Sequence, residues 1–319
     1  MGGKAQNQTR RLSTAEWAAV INELGEKFAQ TGAFAKLVAP RPEPEKMDHG
    51  DIDLFALVNP SIEHNKLHEI IRDVGLYNRR EMTSYLYQSD AAGECQVDLN
   101  LVTDPSDMPL AQFLADFGDA GMIIGCYAKA LGFRLSKSSG LTALKNIDES
   151  SCFKYQITKD PAIICKYLNL DFEAWQKGFV TKLSLFRWLR PSFPYVQQLP
   201  ADRPLMALFL KQEWAGDLLR SHLYRKSPYE RMAELGHLEG FNAALSEYTA
   251  QQNYKKKYRA VVNGWNIQEY VQGKYKQRLE GKELGLFIKQ VKDDLVNDSA
   301  IDIVPTMEQL YSSIERCRR

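Results

Sequence analysis

The stretch His49-Gly50-Asp51-Ile52-Asp53-Leu54-Phe55-Ala56-Leu57-Val58 constrains this chain more than any other. Its residues alternate as in a strand, with Ile52, Leu54 and Ala56 on one side and Asp51, Asp53 and Phe55 on the other. Two carboxylates therefore leave the same face of an otherwise apolar strand. Like charges at that spacing repel and lose hydration, so a cation between them is the natural compensation. A second apolar strand, Gln96-Val97-Asp98-Leu99-Asn100-Leu101-Val102, carries a third acid. Three carboxylates on neighbouring strands make a hard oxygen site suited to Mg²⁺ or Mn²⁺. The bland alternative is an Asp pair at a strand end, solvated and inert.

With Gly50 before the pair and Asp98 on a later strand, the chain resembles the nucleotidyltransferases of the DNA polymerase beta superfamily. The surrounding order agrees with that resemblance: strand, a helix from Asn59-Pro60 to Asp73, then strands over Ser84–Gln88 and Cys95–Val102 joined at Ala91-Ala92-Gly93. The resemblance implies an α+β fold: a nucleotidyltransferase palm, a mixed β-sheet with helices on one face, followed by a mainly α-helical C-terminal region. It also implies that Asp51, Asp53 and Asp98 are catalytic and hold two metal ions. Those ions would activate a 3′-hydroxyl and neutralise a triphosphate during an in-line displacement.

Two segments bear on the nucleotide site. In the superfamily a Gly-Ser pair opens a short helix whose amides bind the triphosphate. Here Ala39-Pro40-Arg41-Pro42-Glu43-Pro44-Glu45-Lys46-Met47-Asp48 stands in that place, and its three prolines remove three N–H donors. Arg41 and Lys46 are expected to take over as side-chain cations, or else the triphosphate site is impaired. Further on, Asp119-Ala120-Gly121-Met122 leads into Cys126–Ser136 and Gly140-Leu141. This resembles the palm-to-thumb region of family X DNA polymerases, a Gly-containing turn, a helix ending Ala-x-x-x-Gly and a Leu-Ser…Gly-Leu hairpin. The resemblance makes Gly50, Gly118 and Gly121 nucleotide-binding positions, although the expected Gly-Ser and Asn are absent.

At 319 residues the chain can form two or three units with cores of their own. We expect a disordered tail over 1–12, the palm over 13–150 and a helical domain over 151–319, with a subdomain boundary near 191–204 where prolines cluster. Ser13 with Glu16 reads as a capping box opening a helix with Trp17, Val20, Ile21, Leu24 and Phe28 inward. Asp160-Pro161 and Asp171 read as helix caps. The five cysteines are scattered without metal-type spacing and read as free thiols, which points to an intracellular setting, cytoplasmic or nuclear. No apolar run is long enough to cross a bilayer, so no membrane partner is expected.

The net charge of +1 hides an asymmetry. Between 251 and 292, ten Lys and Arg face three Glu, with Tyr254, Tyr258, Trp265, Tyr270 and Tyr275 interleaved. Such a strip can follow a nucleic-acid backbone and stack bases, and its candidate contacts are Lys255, Lys256, Lys257, Arg259, Lys274 and Lys276. The bland reading is the solvated face of a long helix. Asn263–Asn266 and Gly281-Lys282-Glu283-Leu284-Gly285 also resemble the C-terminal helical segment of tRNA nucleotidyltransferases.

The expected function is metal-dependent transfer of nucleoside monophosphates from nucleoside triphosphates to a nucleic-acid 3′ end. No helix-hairpin-helix segment precedes the palm, which favours template-independent extension of RNA over DNA. The alternatives are a family X-like DNA polymerase, a small-molecule or protein nucleotidyl transferase, or a catalytically impaired palm serving as a nucleic-acid or protein-binding module.

Overall fold

The computed structural model describes residues 9–77, 83–148, 151–190, 203–212, 228–264, 281–297 and 307–318. The expected disordered tail ends earlier than position 12: Leu12 is buried in strand β1 (Leu12–Ser13), which pairs with Asp48 and His49 and leads into helix α1 (Thr14–Thr31). The Ser13 hydroxyl accepts from the Glu16 amide, and the Glu16 carboxylate accepts from the Ser13 amide at 2.8 Å. Val20, Leu24 and Phe28 are buried along the inner stripe. Gly32, at φ +63°, ends the helix in the left-handed region that glycine adopts at low cost.

Strands β2 (Phe34–Val38), β3 (Asp48–His49) and β4 (Ile52–Val58) follow, then helix α2 (His64–Asp73) and strands β5 (Leu76–Tyr77), β6 (Ser84–Ser89) and β7 (Gly93–Val102). The sequence predicts a helix from Asn59-Pro60 onward, but α2 starts four residues after Pro60. Asn59 instead closes a turn, its carbonyl accepting from Ile62 N–H at 3.0 Å and its side chain from Ser61 N–H at 3.2 Å. A side chain that mimics a backbone acceptor diverts the chain from helix.

The five-stranded sheet runs β2-β4-β7-β6-β5, with β4 and β7 parallel and the other pairs antiparallel. One face is a dry core, where Ile52, Leu54 and Ala56 of β4 and Val97 and Leu99 of β7 meet Val20, Leu24 and Phe28 of α1 and Leu67 and Ile71 of α2. Burying each of the larger side chains contributes about 1.5–3 kcal/mol before conformational entropy is set against it. Helices do not keep to that face alone. On the other side Phe55 and Val102 pack with Met108 and Ala111 of α3 (Met108–Ala115), because this face turns apolar beyond the acids.

Helix α4 (Ala120–Ala130) lies so close to α3 that a Cβ on Gly121 would sit 2.0 Å from the Leu114 carbonyl oxygen. Strands β8 (Phe133–Ser136), β9 (Gly140–Asn146) and β10 (Cys152–Thr158) make a three-stranded sheet in the order β10-β9-β8. Helices α5 (Pro161–Leu168), α6 (Phe172–Lys177), α7 (Lys182–Leu189) and α8 (Pro204–Leu210) follow. Asp160 caps α5 through the Ala162 amide at 2.8 Å, and Asp171 caps α6 through the Ala174 amide at 3.1 Å. Helices Pro228–Glu234, Leu238–Gly264, Gly281–Asn297 and Met307–Arg318 complete the described chain.

The fold is thus mixed α/β with a mixed sheet and a helical C-terminal region. Two compact units divide it: 1–145 with 154–238, and 146–153 with 239–319. The second contains the long helices, where Ser313 donates to the Val291 carbonyl at 3.1 Å and Arg316 pairs with Asp294 at 2.5 Å. Most of the predicted hinge, 191–202, lies outside the described residues. Among the described residues no helix is long and apolar enough to cross a membrane, and the five cysteines are free thiols.

Candidate active site

The parallel pairing of β4 with β7 sets the register that matters. Asp53 lies directly opposite Asp98, Ile52 opposite Val97 and Leu54 opposite Leu99. Because registered residues share a face, both acids leave the sheet on the side away from the dry core. Asp51 precedes β4 by one residue and lines the same cleft as Asp53 and Phe55.

That cleft, about 740 Å³, lies within the first unit. Gly50, Asp51, Asp53 and Phe55 line it with Leu114, Gly118 and Met122 of the α3–α4 region, and Pro204 and Leu205 of α8. Asp53 is open to the cleft, yet protein atoms crowd its carboxyl. That burial, then the nearby charges of Asp51 and Asp98, push its pKa up to about 6, while Lys137 and Lys46 oppose the rise. Asp98 is fastened by Gln96, whose Nε2 donates to its Oδ1 at 2.9 Å. The Gln96 side chain is buried and its Oε1 has no hydrogen-bond partner among the described residues.

As they stand, the three carboxylates are electrostatic neighbours and not a closed ligand set. Among the described residues no three His, Cys, Asp or Glu side chains converge closely enough to hold an ion. Their chemistry nevertheless fits a hard divalent cation, since all are oxygen donors and the repulsion that adds to burial in raising Asp53 is what such a cation relieves.

Lys46, Gly50 and Gly118 all line the cleft. Gly118 has φ +67°, and a Cβ there would meet the Glu43 Cβ at 3.5 Å, so the position combines a left-handed turn with a close approach. Gly121 does not reach the cleft. Its role is the tight crossing of α4 over the end of α3, which explains the glycine without a ligand.

Arg41 departs furthest from expectation. Its amide donates to Asp116 Oδ1 at 2.8 Å, and its Nε and Nη2 donate to Asp116 Oδ2 at 2.8 and 2.6 Å. Nη1 donates to the Trp175 and Gln176 carbonyls at 2.7 and 3.1 Å. The guanidinium lies 4.5 Å from the ring centres of both Phe117 and Trp175. Asp116 is fully buried, so burial raises its pKa and the hydrogen bonds from Arg41 oppose that rise. Arg41 does not line the cleft. It anchors the proline-rich loop to the end of α3, and its carbonyl accepts from Phe117 N–H at 2.7 Å where Phe117 takes φ +61°.

Of the basic strip, Lys255, Lys256, Lys257 and Arg259 fall on helix Leu238–Gly264, but their side chains lie outside the described residues, as do Lys274 and Lys276 altogether. Sequence reasoning missed eight of the charged described residues that line the cleft: Arg11, Glu43, Glu45, Asp48, Asp119, Lys137, Lys182 and Arg203. Lys137 had a signal, because it follows Leu135-Ser136 in the hairpin turn. Asp119 stands in the turn before α4, and Glu43, Glu45 and Asp48 in the proline-rich loop, both segments marked in the sequence; Arg11, Lys182 and Arg203 carry no local mark. Arg203 pairs with Asp119 at 2.8 Å, Lys182 with Glu43 at 2.9 Å, and Arg11 with Asp48.

His49 is buried against Trp17, with ring centres 4.9 Å apart, and burial brings its pKa down to about 4, so it adds no charge to the site at neutral pH. No protein-family model matches the chain, and no curated protein matches it.

Proposed function

We propose that this protein is a metal-dependent nucleotidyltransferase that adds nucleoside monophosphates from nucleoside triphosphates to a nucleic-acid 3′ end, with RNA the preferred acceptor. The observation that carries the reading is the register of Asp53 against Asp98, which does not itself line the cleft, with Asp51 and Asp53 lining a cleft that also presents basic side chains. A site for phosphoryl transfer needs both signs of charge: carboxylates for a cation, and cations for the phosphates.

Asp51, Asp53 and Asp98 would hold Mg²⁺ or Mn²⁺. A bound divalent ion supplies Lewis acidity, lowering the pKa of an attacking hydroxyl and screening phosphate charge. This chain's own residues supply position. Gln96 holds Asp98 in place, and Gly50 and Gly118 let the backbone come close to the cleft. Lys46 offers a cation on the loop that follows Arg41. The basic, aromatic-interleaved stretch of the C-terminal region supports a nucleic-acid acceptor, and the preference for RNA rests on the expectation drawn from the sequence before the first strand, where no helix-hairpin-helix pattern is read.

The test is incubation with labelled nucleoside triphosphates, Mg²⁺ or Mn²⁺, and a mixture of RNA and DNA oligomers. We expect 3′ extension of RNA, and loss of about 10³-fold or more in rate for Asp53→Asn, on the order of 4 kcal/mol in the barrier. One observation favours a second reading, a non-catalytic palm that binds nucleic acid or protein: Arg41 is committed to Asp116 and offers nothing to a phosphate. Oligomer binding without any nucleotide incorporation would select that reading.

A further inference from the structure

Among the described residues five basic side chains line the cleft, and they fall into two groups. Arg11, Lys182 and Arg203 each have a carboxylate partner, namely Asp48, Glu43 and Asp119. Lys46 and Lys137 have no ion-pair partner among the described residues. Both groups share the cleft with Asp51 and Asp53.

Lys137 is held in place by more than its own chain. It sits in the three-residue turn joining β8 to β9, where Ser136 and Ser139 share a hydroxyl–hydroxyl bond of 2.6 Å and the Ser139 amide donates to Ser136 Oγ at 3.1 Å. Gly140 closes the turn at φ +61°, so near β10 that a Cβ would lie 2.1 Å from the Thr158 carbonyl oxygen. A hairpin tip fixed in this way has little room to shift. Its lysine amine stands 5.1 Å from the centre of the Phe55 ring, two residues along β4 from Asp53.

The charge balance says what that amine can do. Glu43, Glu45, Asp48, Asp51, Asp53 and Asp119 also line the cleft, so among the described residues acids outnumber bases by one and a bare polyanion meets net repulsion from them. A divalent cation on the carboxylates reverses that sign and leaves Lys46 and Lys137 with positive charge to spare. We propose that Lys137 is a phosphate-binding residue, acting with Lys46 on the triphosphate of an incoming nucleotide once a divalent cation is present. This rests on the nucleotidyltransferase reading and adds a residue and a loading order to it: cation first or together with the nucleotide, never nucleotide alone.

Inorganic triphosphate is the probe, because it isolates phosphate contacts from base and sugar. Calorimetric titration into the full-length protein should show binding with Mg²⁺ and none in its absence. Lys137→Gln should raise the dissociation constant for Mg²⁺–triphosphate about tenfold or more, Lys46→Gln should act in the same direction, and Lys137→Arg should retain most of the affinity. Mn²⁺ alone, titrated by paramagnetic resonance, should bind Lys137→Gln as tightly as the parent or tighter, since a charge that repels the ion has gone. Unchanged triphosphate affinity in Lys137→Gln, with the parent binding normally, overturns the inference and leaves the enzyme reading intact. Loss of Mn²⁺ binding in that variant also overturns it, by making Lys137 a structural support. A parent that binds neither Mn²⁺ nor Mg²⁺–triphosphate overturns the enzyme reading itself.

Discussion

Two carboxylate sites in the first unit are built from the same side chains and solved in opposite ways. Asp116 is fully buried, and three donors from Arg41 converge on it while two aromatic rings flank the guanidinium. Asp53 faces the cleft with Asp51 and Asp98 as electrostatic neighbours, and its pKa rises to about 6. The first site has spent its charge on holding a loop to a helix end. The second keeps repulsion that Lys137 and Lys46 only partly offset and that an added cation would relieve further. A protein can make a buried carboxylate structural simply by closing an arginine over it, so acids left exposed to one another in a cleft are the ones to suspect of chemistry.

The largest effect should come from breaking the closed site. Arg41→Ala leaves Asp116 buried without a counter-charge and should cost about 3–5 kcal/mol of stability, read as a lower urea midpoint with unchanged slope. Arg41→Lys should recover only part, because the planar fork that reaches Asp116 and the Trp175 carbonyl is lost. A midpoint within about 1 kcal/mol of the parent would remove the contrast between the sites.

Next comes the open site's response to metal. Mg²⁺ at about a hundred times its dissociation constant should stabilise the parent by roughly 2.7 kcal/mol, seen as a rise in Tm. Asp53→Asn should lose most of that rise. An equal shift in parent and variant would put the ion elsewhere.

A smaller effect, of opposite sign to the first, is expected from Asp53→Asn without metal. Removing one of three repelling carboxylates should leave stability level or raise it by up to about 1 kcal/mol. A clear loss would mean that Asp53 is as structural as Asp116.

The smallest effect serves as a reference outside both sites. Hydrogen bonds from Arg10, then from Ser13, hold the Glu16 carboxyl down at about 2. Its pKa is depressed in the folded state, so its contribution is present above the ordinary carboxylate range and is lost as pH falls from about 4.5 towards 2. Glu16→Gln should flatten the acid limb of the stability–pH curve in that window, and at neutral pH it should lower stability by the small amount that the parent loses across the window. A curve of unchanged shape would show that the exposed pair adds nothing.

The alternation in 52–58 was legible because period two is a local property. Each residue's side is set by its neighbours, and the buried face of β4 follows that pattern. Caps were legible for the same reason: Ser13, Asp160 and Asp171 act on amides two or three residues away. The Asn59 turn was misread at this same local scale, where two short-range signals, proline at a helix start and asparagine at a turn, competed. The partition of the chain is less local. Sequence places a break near 150, whereas contacts gather 154–238 with the sheet and join 146–153 to the C-terminal helices.

Local pattern suffices for the two acid-bearing strands, the face each acid takes on its own strand, and the caps that start the helices. Tertiary structure alone decided that β4 and β7 lie side by side in the register that sets Asp53 against Asp98. It also decided that Arg41 closes on Asp116, 75 positions along the chain, and that Lys137 comes to stand over Phe55. The physical reason is range. Side-chain alternation and capping depend on a few consecutive dihedral angles, whereas a salt bridge between distant residues depends on every element folded between them, and no local pattern records which partner an arginine will meet.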